Sequence, residues 1–98
     1  MNDLPFHKKL FNLARLGILE TLSGEGAISF SDLKAVCGLT DGNLVAHLRV
    51  LEKLNFVVSS KCFVDKKPRT TYTVTLKGEE NLKALKVWFY DTFLEGEP

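Results

Sequence analysis

Cysteine is scarce in this chain, and so is net charge. Only Cys37 and Cys62 occur among 98 residues. Two thiols cannot make a disulfide framework, and no histidine pair at metal-ligand spacing accompanies them, so no metal site is expected. No apolar run approaches the ~18–20 residues needed to cross a bilayer, which excludes a membrane-spanning helix and a membrane partner of that kind. The segment Met1 to Lys9 lacks the basic, apolar and small-residue succession of a signal peptide, so a reduced, cytoplasmic protein is expected. A glycine-rich phosphate loop, a nucleophile elbow, a zincin motif and a paired-carboxylate signature are all missing. Neither catalysis nor a cofactor is expected. Repeats, low-complexity tracts and Gly/Ser linkers are absent too, and one domain spanning residues 1–98 follows.

What is present is an ordinary globular composition, 45% hydrophobic and 26% charged, which excludes a disordered chain. A formal net charge of +1 argues against coating nucleic acid by bulk electrostatics. The charge is unevenly placed, however. Residues 31–77 carry eight Lys and Arg against four Asp and Glu, whereas residues 78–98 carry two against five. An anionic partner would meet the middle of the chain.

Leu10, Leu13, Leu16, Leu19 and Leu22 recur at helical spacing, with Phe11, Ala14 and Ile18 widening the apolar face. They predict a first helix over 5–23, from Pro5 to before Gly24. Ala27-Ile28-Ser29 reads as a short extended piece. A second helix of barely two turns follows, capped by Ser29 or Ser31 and ended by Gly38. Thr40 is a good N-cap for a third helix reaching Leu54. At 100° per residue, Leu44, His47, Leu48, Leu51 and Leu54 share one side, while Asp41, Gly42, Val45, Ala46, Arg49 and Lys53 share the other. His47, on the apolar side, is expected to pack or hydrogen-bond rather than to touch phosphate. A short helix, a tight turn and a longer amphipathic helix, together residues 30–54, form a helix-turn-helix pattern. Beyond Asn55 the period becomes two. Phe56 to Phe63 and Thr70 to Thr75 flank a polar turn containing Pro68, which predicts a hairpin over 56–75. A last helix runs from 76 to 95. The fold class is thus mainly α with a small β-hairpin (α+β), in the order α-β-α-α-β-β-α.

This succession resembles the winged-helix transcriptional regulators of bacteria and archaea, in the broad MarR/ArsR-like group. The likeness is carried by Leu39-Thr40-Asp41-Gly42-Asn43-Leu44, His47-Leu48, Leu51-Glu52, Phe56-Val57, Lys67-Pro68-Arg69-Thr70-Thr71-Tyr72 and Thr75-Leu76-Lys77-Gly78, and covers roughly residues 11–94. It is similar above all to small stand-alone winged-helix proteins. The resemblance implies a homodimer that binds double-stranded DNA and represses or tunes transcription.

Chemistry supports the same reading. A duplex major groove about 12 Å wide admits one helix. On the third helix Arg49 is suited to guanine or phosphate, Asp41 to a cytosine amino group, and Val45 and Ala46 to thymine methyls. Relatives often have small polar or basic residues where this chain has Val45 and Ala46, so direct readout is thin and shape or phosphate contacts gain weight. Gly42 would let a phosphate backbone approach closely. Thr40, Asn43 and Ser31 near helix N-termini, with Lys34 and Lys53, are further candidates. The hairpin tip, Lys66-Lys67-Pro68-Arg69, suits a wing on phosphate or in the minor groove, its turn stiffened by proline. Surplus apolar surface on both terminal helices suggests mutual burial in a two-fold dimer through Leu10, Leu13, Leu85, Trp88, Phe89 and Phe93. Ordinary burial accounts for Cys62, and His7 lies in a frayed terminus. The near-neutral charge and the Val45–Ala46 face also fit a winged-helix module that binds another protein.

Overall fold

The computed structural model describes residues 3–94; the expected limits at 1, 95 and 98 lie outside them. Helix α1 spans Leu13–Glu25, strand β1 Ile28–Ser29, α2 Phe30–Cys37, α3 Asp41–Lys53, β2 Val57–Val64, β3 Lys67–Val74 and α4 Leu76–Phe89. A 3-10 turn, Lys8–Leu10, precedes α1, and a π-helical turn, Tyr90–Leu94, follows α4. The strands form one antiparallel sheet in the order β1-β3-β2. This is the winged-helix α+β arrangement.

Each helix starts where a short polar side chain satisfies a backbone N–H that lacks an intrahelical acceptor. Asn12 Oδ1 accepts from the Arg15 N–H at 3.0 Å. Ser29 Oγ, rather than Ser31, accepts from Asp32 at 3.1 Å. Thr40 Oγ1 accepts from Asn43 at 3.2 Å, and Thr75 Oγ1 from Gly78 at 3.0 Å. Gly38, at φ +65°, stops α2 in the left-handed conformation and turns the chain into α3.

The first helix departs from its expected bounds. The Asn12 cap delays its start to Leu13, and it runs through Gly24 before Gly26, at φ +85°, ends it. Leu10 therefore belongs to the preceding turn, where it is wholly buried in the core of its own chain. Leu13 faces outward instead. The N-terminal segment is anchored rather than frayed: Phe6 is buried, its ring 5.3 Å from that of Trp88, and the His7 N–H donates to Asn81 Oδ1 at 2.9 Å.

Ile18, Leu19 and Leu22 of α1, Leu33 of α2, Leu44, Leu48 and Leu51 of α3, and Leu82 and Leu85 of α4 enclose one core with Phe56 and Val57. The corner joining α3 to β2 is locked to the start of α4. The Thr75 hydroxyl donates to the Asn55 carbonyl at 2.7 Å, and the Thr75 N–H donates to the Phe56 carbonyl at 2.9 Å. A Cβ on Gly78 would lie 2.4 Å from that same Phe56 oxygen, so glycine is required by close approach.

The hairpin differs from expectation at its turn. Its two loop residues are Asp65 and Lys66, both at positive φ (53° and 66°), which is a type I′ connection. Pro68 is not in the turn. It lies in β3, opposite Phe63. Alternation from the closing pair Val64–Lys67 makes Phe63–Pro68 a non-hydrogen-bonded pair, the position that tolerates a residue without an N–H. Since β1 pairs only with Thr71 and Tyr72, the outer hairpin is a free two-stranded ribbon. The molecule is correspondingly long, 58 × 22 × 22 Å.

Candidate nucleic-acid interface

The two faces of α3 separate as the 100° spacing requires. Leu44, Leu48 and Leu51 are buried; Asp41, Gly42, Asn43, Ala46, Arg49 and Lys53 are exposed. Thr40, which caps the helix, is exposed as well. Val45 is half-buried, so the outward face is narrower than expected by one residue. At Gly42 an added Cβ would meet nothing within 4 Å, so packing in the free protein places no demand on this glycine.

Lys34 and Asp41, both expected to meet nucleic acid, meet each other: Lys34 Nζ lies 2.8 Å from Asp41 Oδ1. The pair ties α2 to the first turn of α3. Because both side chains reach solvent, it contributes at most about 1 kcal/mol and weakens with salt. A contact of Asp41 with a base, or of Lys34 with a phosphate, exchanges this bond for another. Ser31 is exposed in the first turn of α2, with its Oγ 3.4 Å from Ser29 Oγ.

A second link holds α3 from its inner side. Arg15 Nη1 of α1 donates to His47 Nδ1 at 3.0 Å, while Arg15 Nε donates to the Lys9 carbonyl at 2.7 Å. Arginine is only a donor, so this bond requires His47 neutral with its proton on Nε2. Burial, and secondarily the Arg15 charge, hold the imidazole pKa below its ordinary 6.5. His47 thus has the expected hydrogen-bonding role. Its partner was not foreseeable from spacing, since 32 residues separate the two.

The wing is exposed throughout its outer part, including Lys66, Lys67 and Arg69. Side-chain alternation divides them: Lys67 and Arg69 share a ribbon face with Cys62 and Val64, while Lys61 shares the other with Phe63 and Pro68. Cys62 is exposed, not buried as expected, because the free ribbon has no layer packed on either side at that point. Among the described residues, no cluster of three or more His, Cys, Asp or Glu side chains has the geometry to hold a metal ion, and no helix is long and apolar enough to cross a membrane.

The expected dimer residues divide in the same way. Leu10 and Leu85 are buried within the chain's own core and cannot form the main surface of an interface between copies. Trp88 is half-buried among the rings of Phe6, Phe11 and Phe93. Leu13, 88% exposed, together with Phe89 and Phe93, remains outward. An apolar groove of about 500 Å3 runs between α1 and α4, lined by residues that include Leu13, Leu16, Phe89 and Leu94.

A capped helix with a polar exposed side, a three-residue turn before it and a basic ribbon after it define the winged-helix class. A family model described as a winged helix DNA-binding domain matches residues 14–90, and the chain belongs to that family. An uncharacterized protein of Methanocaldococcus jannaschii is 38% identical over 76 residues, which span 76% of this chain and 83% of that protein. The structure of a transcriptional regulator homologue from Pyrococcus horikoshii OT3 has 37% identity and a TM-score of 0.74, covering 87% of this chain and 88% of the other. A MarR-like transcription regulator from Bacillus cereus ATCC 10987 shares the fold at a TM-score of 0.72 with 24% identity, over 86% of this chain and 60% of its own. The expected winged-helix family is therefore met, and its fold is shared with a MarR-like regulator.

Proposed function

We propose that the protein is a sequence-specific regulator of transcription that binds double-stranded DNA as a homodimer and represses by occupying its operator. The observation that carries this reading is the exposed side of α3, where Arg49 and Lys53 stand outward on a helix whose chain continues directly into a ribbon bearing Lys61, Lys66, Lys67 and Arg69. Family membership and the 37% identity to a regulator homologue support it. In this reading α3 enters the major groove. Arg49 contacts guanine or phosphate, Asp41 contacts a base after leaving Lys34, and Ala46 and the accessible part of Val45 meet thymine methyls. Thr40, Gly42, Asn43, Ser31, Lys34 and Lys53 lie toward the backbone, and the wing grips phosphate or the minor groove.

Two copies would associate through the outward residues of α1 and α4, principally Leu13, Phe89 and Phe93. Exposed apolar surface of this extent on two neighbouring helices is costly to leave in water. A two-fold pair would address half-sites about one helical turn apart, and the operator would be near-palindromic.

Selection of bound duplexes from a random library at fixed physiological salt tests all of this together. Enrichment of a near-palindrome, lost on Arg49→Ala, is the expected result. Equal binding to every sequence contradicts specific regulation, and recovery of a stoichiometric protein partner with no salt-sensitive DNA binding favours the protein-interaction module instead.

A further inference from the structure

The wing ends in an apolar pair that folding does not require. Phe63 is 75% exposed, and Pro68 opposite it is exposed too. At a non-hydrogen-bonded position the two Cβ atoms stand about 4.5–5.5 Å apart, so ring and pyrrolidine form one blade on a single ribbon face. That face begins at buried Val57 and half-buried Tyr72, then leaves the core with nothing packed over it. The type I′ turn fixes the register only one pair away, which holds the blade at a set position.

The surroundings identify the occupant. Lys61 flanks the blade on its own face, Lys66 caps the tip, and Lys67 and Arg69 stand on the reverse, against the single carboxylate of Asp65. An apolar edge ringed by cations fits an apolar gap within a polyanion. A base step seen from the minor groove is such a gap. The groove, about 6 Å wide, excludes a ribbon lying flat but admits a projecting side chain, and pyrimidine–purine steps unstack readily. Resting on the DNA-binding reading above, we propose that Phe63, backed by Pro68, is a minor-groove wedge that partly unstacks a base step and bends the duplex. Lys61, Lys66, Lys67 and Arg69 hold the adjoining phosphates. The wedge adds shape-based selectivity to readout by α3, where the exposed Ala46 offers no hydrogen-bonding group.

The test uses the selected duplex, labelled at both ends for energy transfer and carrying 2-aminopurine at successive steps beneath the wing. Wild-type protein should shorten the end-to-end distance and brighten one 2-aminopurine step. Phe63→Ala should lose both signals and about ten-fold in affinity, within the range for losing one base–aromatic stacking contact, with the salt slope unchanged because no charge is removed. Phe63→Leu should retain most of the bend. Lys67→Ala should keep the bend while the salt slope falls by about 0.9. A Phe63→Ala protein of normal thermal midpoint that bends and binds DNA like wild type overturns the wedge. So does a change in its oligomeric state with DNA binding intact, which would assign the blade to a second copy. Failure of the wild-type protein to bind any selected duplex defeats the DNA-binding reading itself.

Discussion

The root and the tip of the same hairpin obey different rules. At the root, Phe56 and Val57 are buried, Thr75 bonds two backbone groups of the α3–β2 corner, and Gly78 touches the Phe56 carbonyl. At the tip, Lys61 to Arg69 are all exposed, held only by cross-strand pairing and a two-residue turn. Residues at the root are fixed by packing. Those at the tip are free of that constraint, so their cations and aromatic ring are open to selection by a ligand.

The largest expected effect lies at the root. Phe56→Ala removes a fully buried ring and should cost about 3–5 kcal/mol, seen as an early midpoint in urea unfolding. Gly78→Ala should cost about 1–3 kcal/mol, because the new methyl group meets backbone rather than a flexible side chain. Lys67→Ala and Arg69→Ala at the tip should leave stability within about 0.5 kcal/mol while weakening DNA binding. If tip substitutions unfold the protein as readily as root substitutions, the contrast between the two regions is broken.

The fold was legible because its signals are local. Thr40, Gly38 and the period change at Asn55 each act over a few residues, and they marked the helix-turn-helix and the hairpin correctly. The start of α1 is hidden in the sequence for a definite reason. Leu10 and Leu13 are three residues apart and look like one stripe, yet the Asn12 cap separates them and sends one inward and the other out. Pro68 invited assignment to the turn, when Asp65 and Lys66 take that conformation themselves. The candidate site was legible as a set of exposed positions. Its internal bonds, Lys34–Asp41 and Arg15–His47, were hidden because they depend on how helices pack.

His47 gives a smaller, pH-dependent effect that sharpens the contrast on the inner side of α3. Its folded pKa is lowered, so the unfolded chain binds the proton more tightly, and the neutral imidazole's contribution is complete above about 6.5 and lost as pH falls. His47→Gln should flatten that part of the stability-against-pH curve, read by thermal unfolding from neutral pH downward. An unchanged slope would mean that another group sets it. Smallest of all is the Lys34–Asp41 pair. A double-mutant cycle should return less than about 1 kcal/mol of coupling, vanishing at high salt.

The most direct measurement is a map of backbone amide shifts as duplex DNA is added to the labelled protein. Perturbations should concentrate in residues 40–53 and 61–69, with α1 and α4 changing little. Shifts concentrated instead on the outward side of α1 and α4, with α3 and the wing silent, would contradict the assignment of the interface.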